Sequence, residues 1–383
     1  MGTKHLWTTT GLKILFVSDI HLLHRRVKTA DISSRLLRKL FKLIKVHELD
    51  YLVIAGDLFD AAQLLPEADV GDAQLFISML LTFCQENNVK LRVLEGTPSH
   101  DRKQSSQFVT LNNHMVADKR TDLRYVETID IITEEDGSTW LYVPDEISDP
   151  DSVWEMVRER LAQEGLESVD FAVTHGMYKH HVKQGLDITA HDPDAYLSIV
   201  DRYVNNGHIH TKSIYKKRFI TNGSWDRLKQ GEEEQKGLFV IEVSPLGIEH
   251  DKVHFYENEE ATYMVTLDVT QHTFERTMEV VEEHCHPEER RFIRLLISES
   301  LYSEGVMQYF SDKYPNIVWD KQVERDDVPR ASVMESFAMS TNQVTMTKDN
   351  ADELLAEEMR MQGISEEEIE VTLVYLDEIL EAA

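Results

Sequence analysis

Three apolar runs end in side chains suited to metal or acid–base chemistry. Asp19 closes residues 13–19 (KILFVSD) with His21 just beyond, Asp57 closes 50–57 (DYLVIAGD) with Asp60 just beyond, and His100 and Asp101 follow 90–96 in GTPSHD. His175 comes later in THG, and His208 and His210 in NGHIH. Carboxylate oxygens and imidazole nitrogens without thiolates suit Mn²⁺, Fe²⁺ or Zn²⁺, and include more imidazole than Mg²⁺ or Ca²⁺ prefers. Manganese is the first expectation, with Mg²⁺, Fe²⁺ and Zn²⁺ as alternatives. The donors are too many for one ion and fit two, which in such sites lie about 3.5–4 Å apart. Asp57 is the natural bridge.

Donors this distant in sequence meet only if the elements beneath them end together. The three runs are continuously apolar, as strands covered on both faces are. Between them lie stretches of helical period, 34–47 with Leu36, Leu37, Leu40, Phe41 and Ile44, and 73–87. Repeated strand–helix units give a parallel sheet whose strand C-termini share one ligand-binding edge. Further strands are expected at 139–145, 170–176, 203–210, 218–224 and 237–244, with a helix at 150–163. From residue 260 the pattern becomes strand, helix, strand, a second helix over 303–315, and a strand ending near Arg325. The fold class expected is α/β, with a small β-α-β-α-β capping domain and a C-terminal helical tail. The boundaries are 1–258 for the catalytic domain, 259–325 for the cap, 326–348 for a linker and 349–383 for the tail. In that tail Ser365 and Glu368 form a capping box.

The blocks DxH, GDxxD, a His-Asp pair, a lone His and GHxH, in this order over residues 13–225, resemble the calcineurin-like metallophosphoesterase family. The resemblance implies a sandwich-like core in which Asp19, His21, Asp57 and His210 hold one metal, Asp57, His175 and His208 hold the other, and His100 is the catalytic histidine. Where that family has Gly-Asn-His-Asp, with the asparagine amide on the second metal, this chain has Gly96, Thr97, Pro98, Ser99, His100 and Asp101. Ser99 takes the asparagine's place in this reading, and a hydroxyl there implies a loosely held second metal.

The cap, the tail and the segment NGS (222–224) resemble SbcD-type DNA repair nucleases. That likeness implies DNA as substrate, a homodimer, and an SbcC-type ABC ATPase whose coiled coil receives the tail stripe Ile369, Leu373, Leu376 and Leu380. An intramolecular helical hairpin is the other reading of that stripe. Arg25 and Arg26 after DIHLLH, and Lys212, Lys216, Lys217 and Arg218 after GHIH, offer phosphate contacts. A cyclic-nucleotide phosphodiesterase or nucleotidase would use the same metals without a DNA channel. A non-catalytic scaffold would fit an altered third block, but nearly every other donor position is filled.

The formal net charge of -29 excludes coating of nucleic acid by bulk electrostatics, so any DNA contact must be local. The charge is uneven, with a basic first fifty residues and an acidic end. Two cysteines, Cys84 and Cys285, in unrelated contexts suggest neither disulfides nor a thiolate site, which fits a cytoplasmic compartment. The N-terminal apolar run is too short for a membrane span, so no membrane association is expected. The tract His284, Cys285, His286 lacks partner ligands and reads as a helix end. His24, His180 and His181 are weaker candidates for substrate contact.

Overall fold

A computed structural model of the protein describes residues 10–62, 68–145, 149–182, 188–286 and 288–324. The linker at 326–348 and the tail at 349–383, with its four apolar residues, lie outside the described residues.

The first sheet grows from β1 (Leu12–Val17), β2 (Tyr51–Ala55), β3 (Lys90–Leu94) and β4 (Leu123–Val126), all parallel. Helices α1 (Thr29–His47), α2 (Ala68–Glu86) and the short α3 (Gln107–His114) connect them. The second sheet contains β5 (Asp130–Thr133), β6 (Thr139–Val143), β7 (Val169–His175), β8 (Val200–Gly207), β9 (Ser213–Tyr215) and β10 (Phe219–Thr221). Its helices are α4 (Pro150–Glu164) and α5 (Pro193–Ile199). The chain then returns to the first sheet with β11 (Gly237–Val243), antiparallel to β1, and β12 (Lys252–Glu257). The orders are β12-β11-β1-β2-β3-β4 and β5-β6-β7-β8-β10-β9.

Alternation along the strands stacks these sheets face to face. On β1, Ile14 and Phe16 join Tyr51 and Val53 of β2 in one apolar cluster with Trp140 and Tyr142 of β6 and Phe171 and Val173 of β7. The intervening Leu15, Val17, Leu52 and Ile54 pack instead against Leu36, Leu40 and Ile44 of α1 and Ile77 and Leu80 of α2. On the far side Leu141 and Ala172 meet Val153, Val157 and Leu161, spaced four apart on α4. The layers are therefore helix, sheet, sheet, helix. Trp140 is fully buried between the sheets, where truncating such a ring to alanine costs about 3–5 kcal/mol. Helix α4 starts where the Asp149 carboxylate accepts from the amides of Asp151 and Ser152, with Pro150 in the first turn.

The cap has β13 (Met264–Asp268) parallel to β14 (Phe292–Ser298), with β15 (Val318–Glu324) completing the sheet order β13-β14-β15. Helix α6 (Phe274–Glu282) joins β13 to β14. The helix expected over 303–315 is α8 (Val306–Lys313), starting after Gly305, which turns the chain at φ 82°; a short helix, α7 (Glu299–Ser303), precedes that turn. Met264 and Phe292 bury into the α1–α2 side of the core. Asp226 anchors the junction, accepting from the Thr262 amide at 2.6 Å and pairing with Arg35 at 3.0 Å. No helix among the described residues is long and apolar enough to cross a membrane.

Candidate metal centre

The C-terminal ends of β1, β2, β3, β7 and β8 deliver their donors to one edge. The two sheets come close enough there only because glycines stand at the contact. A Cβ on Gly207 would lie 2.2 Å from the Ala55 carbonyl oxygen, and one on Gly56 would lie 2.3 Å from His175 Nδ1. Just past the strands, Asp19, His21, Asp57 and His208 take left-handed φ values of 50°, 52°, 50° and 80°. This backbone turns successive side chains towards the same point.

Asp19, His21 and His210 form one donor group and Asp57, His175 and His208 another, with His21, Asp57 and His100 linking them; within each group the atoms lie within 4.8 Å of one another. His21 Nε2 faces His210 Nε2 at 3.1 Å, and His210 Nε2 lies 3.8 Å from Asp19 Oδ1. Asp57 turns Oδ2 towards His21 at 3.8 Å and His100 at 3.0 Å, and Oδ1 towards His175 Nε2 at 3.2 Å. Donors sharing an ion at bond lengths of about 2.1 Å stand about 3–4 Å apart. The oxygen–nitrogen set fits a pair of divalent ions with Asp57 between them.

A second layer of contacts fixes these rings and carboxylates. His175 Nδ1 meets the Ala55 carbonyl at 2.8 Å, leaving Nε2 for the cluster. Glu232 accepts from His210 Nδ1 at 2.6 Å and is itself paired with buried Lys236 at 3.3 Å. Asp60 lies 3.1 Å from His21 Nδ1. Asp19 accepts from the His208 amide at 2.9 Å and from the Ser18 hydroxyl. Asp101 shapes the β3 loop by accepting from the amides of Phe59 and Gly96, both at 2.8 Å.

The charges are strongly perturbed. Burial opposes ionisation of Asp57, yet adjacent His175 and His100 hold its carboxyl well below the usual range. Burial likewise opposes protonation of His175, but Asp57 wins and raises it to about 10. His208, buried and beside His175, is pushed down to about 3. His100 is raised, Asp57 outweighing burial. Burial, and then the Asp57 charge, lift Asp101 to about 8.

Seven of the predicted residues, Asp19, His21, Asp57, His100, His175, His208 and His210, are thus brought together. Ser99 is not: it is exposed, and its backbone carbonyl accepts from Arg102 at 3.0 Å. The physical reason is the extra length of the loop. Thr97, directly after Gly96, is the residue that enters, its amide donating to Asp57 Oδ1 at 2.6 Å. Its hydroxyl lies 3.3 Å from His175 Nε2 and 3.4 Å from His208 Nδ1. Thr97, Asp145 and Glu232 are the residues that sequence reasoning missed.

The basic set divides. Arg25 and Arg26 are exposed on the loop after β1, at the site edge. Lys212 binds Gln235 at 3.0 Å and lies over the Phe255 ring at 4.3 Å. Lys216 and Lys217 do not belong to the edge. Antiparallel β9 pairs Ser213 with Thr221 and Tyr215 with Phe219, which carries the turn to the opposite end of the sheet, about 10 Å away by strand rise. Lys216 there pairs with Asp194 at 2.7 Å, and Arg218 donates to the Val200 carbonyl at 2.7 Å. His181 accepts from or donates to Thr221 and Ser213, and His180 stacks on Tyr215. In the cap, His284 bonds Tyr263 and the Cys285 thiol bonds the Val281 carbonyl.

A family profile for calcineurin-like phosphoesterases matches residues 12–212, more than half of the chain, and the chain belongs to that family. It is 24% identical over 243 residues to "Putative phosphoesterase 078R" of Invertebrate iridescent virus 3, a match spanning 63% of this chain. The match takes in 66% of the viral protein, just under two thirds of its length. Among solved structures, TT1561 of Thermus thermophilus shares 13% identity with a TM-score of 0.39, covering 65% of this chain and 100% of that one. Another shares 12% identity with a TM-score of 0.41 at the same coverage.

Proposed function

We propose that this chain is a two-metal phosphodiester hydrolase that processes DNA ends in the manner of SbcD-type nuclease subunits, with Mn²⁺ as its ion and an SbcC-type ATPase as partner. The observation that carries the reading is the convergence of Asp19, His21, Asp57, His175, His208 and His210, with the two oxygens of Asp57 facing opposite halves. A bound ion pair supplies Lewis acidity towards a phosphate ester and an activated water. His100 stands beside the bridge at 3.0 Å, its side chain 18% exposed, in position to pass a proton to a leaving oxygen. Arg25 and Arg26, exposed on the loop after β1, are the proposed contacts to a nucleic acid backbone, and the acidic segment 349–383 is the proposed ATPase contact.

The testing experiment is cleavage of linear duplex and single-stranded DNA by the full chain with Mn²⁺, beside bis(p-nitrophenyl) phosphate and free nucleotides. Metal-dependent DNA cleavage is the expected result. Turnover of nucleotides alone would replace it with the second reading, a small-molecule phosphoesterase. That reading is favoured by one observation: Lys216 and Lys217 sit at the far end of the sheet, away from the site edge along which a long polyanion would lie.

A further inference from the structure

The two halves of the donor cluster differ in carboxylate supply. Asp19 and Asp57 reach the His21–His210 side, with Asp60 behind His21, whereas the His175–His208 donor group contains Asp57 as its carboxylate. Two divalent ions bring four positive charges, and Asp19 with Asp57 returns only two negative ones. A further carboxylate faces the poorer half. Asp145 follows β6 at the same edge, one strand from His175, since β6 and β7 pair in parallel up to Val143 and Thr174. Its Oδ2 lies 3.9 Å from His208 Nδ1, and its side chain is 28% exposed. The Thr97 hydroxyl, already beside His175 and His208, hydrogen-bonds it.

We propose that Asp145 is a ligand of the ion held by Asp57, His175 and His208, with the Thr97 hydroxyl fixing the orientation of its carboxylate. The proposal rests on the two-metal reading above. A separation of 3.9 Å between Asp145 Oδ2 and His208 Nδ1 falls within the spread of donors that share one ion at bonds of about 2.1 Å. Asp145 thereby gives this half an anionic oxygen of its own, so that it need not rely on the shared bridge. That oxygen strengthens this half and lowers the positive charge its ion would present to a phosphate, relative to the same half without Asp145.

The test is Mn²⁺ binding by the full chain, followed by titration calorimetry and by the exchange-coupled electron paramagnetic resonance signal of a manganese pair. Wild type is expected to bind two ions and show the coupled signal. Asp145→Ala should keep the first affinity, weaken the second about 10–100-fold and lose the coupled signal at two equivalents of metal. Unchanged second-site affinity in that variant overturns the proposal while leaving the two-metal reading intact. A wild-type chain that binds one ion or none overturns the two-metal reading itself, and this proposal with it. Manganese anomalous scattering from wild-type crystals decides the matter even if the variant misfolds, because an Asp145 oxygen more than about 3 Å from both ions is too far for a bond of about 2.1 Å.

Discussion

Around His21 and His210 each imidazole turns its far nitrogen to a carboxylate, Asp60 at 3.1 Å and Glu232 at 2.6 Å. Around His175 the far nitrogen meets a peptide carbonyl, while His208 Nδ1 faces the donor cluster itself, with the Thr97 hydroxyl at 3.4 Å and Asp145 at 3.9 Å. Carboxylate partners make imidazole a stronger donor and fix its tautomer. The difference teaches that one sheet edge can support two ion sites of unequal strength, the first set by long-range carboxylate contacts and the second by backbone and by the loop after β3.

The sharpest break in this comparison comes at the residue both halves share. Asp57→Asn is expected to cut turnover of bis(p-nitrophenyl) phosphate on the order of 10³-fold, the loss typical of removing a key electrostatic group, and to weaken both ions in calorimetry. His100→Ala belongs beside it as a contrast, slowing turnover about 10²-fold or more while retaining both ions. Loss of metal from the His100 variant would show that this ring is a ligand and not a proton carrier.

Glu232→Gln tests one half alone. It leaves the His210 ring in place but removes its anionic partner, so the first Mn²⁺ should bind about 10–100-fold more weakly, with the second unaffected. Equal weakening of both would erase the distinction between the halves. Proton release probes the other side. His175 is raised from 6.5 to about 10, so its pair with Asp57 contributes stability to the metal-free chain that is fully present below about 6.5 and lost as pH rises through about 10. An ion must displace that proton. Affinity at the His175 half should therefore climb about tenfold per pH unit across this window, read as proton release in calorimetry with buffers of different ionisation enthalpy. The smallest effect belongs to Ser99→Asn. With Ser99 exposed, the Mn²⁺ isotherm should not change, and tightening would mean that the loop rearranges on binding.

The sequence made the donors legible because each follows a continuous apolar strand, and strand direction alone sends their C-termini to one edge. It could not reveal Asp145 or Glu232, whose roles depend on where loops far apart in sequence come to rest. Ser99 lies exposed because the loop is longer than counting back from His100 allows for, whereas Thr97 is held by its own amide to Asp57. Lys216 and Lys217 lie away from the edge because a three-residue strand, β9, pairs antiparallel with β10 and carries the chain away before they are reached. Short strands such as β4 and β5, four residues each and mixed in polarity, leave little periodicity to read, so the separate second sheet emerged only from pairing.

The left-handed backbone at Asp19, His21, Asp57 and His208 has a consequence for engineering. Asp and His tolerate this conformation better than most residues, yet a non-glycine residue held there still carries strain on the order of 1 kcal/mol. That strain is present in every folded molecule, with or without ions, while its benefit appears only during hydrolysis. Glycine at these positions relieves the backbone and deletes a donor in the same step. Thermal tolerance and activity therefore draw the sequence in opposite directions at this edge, and a library sorted by melting temperature in a chelating buffer will accumulate inactive chains.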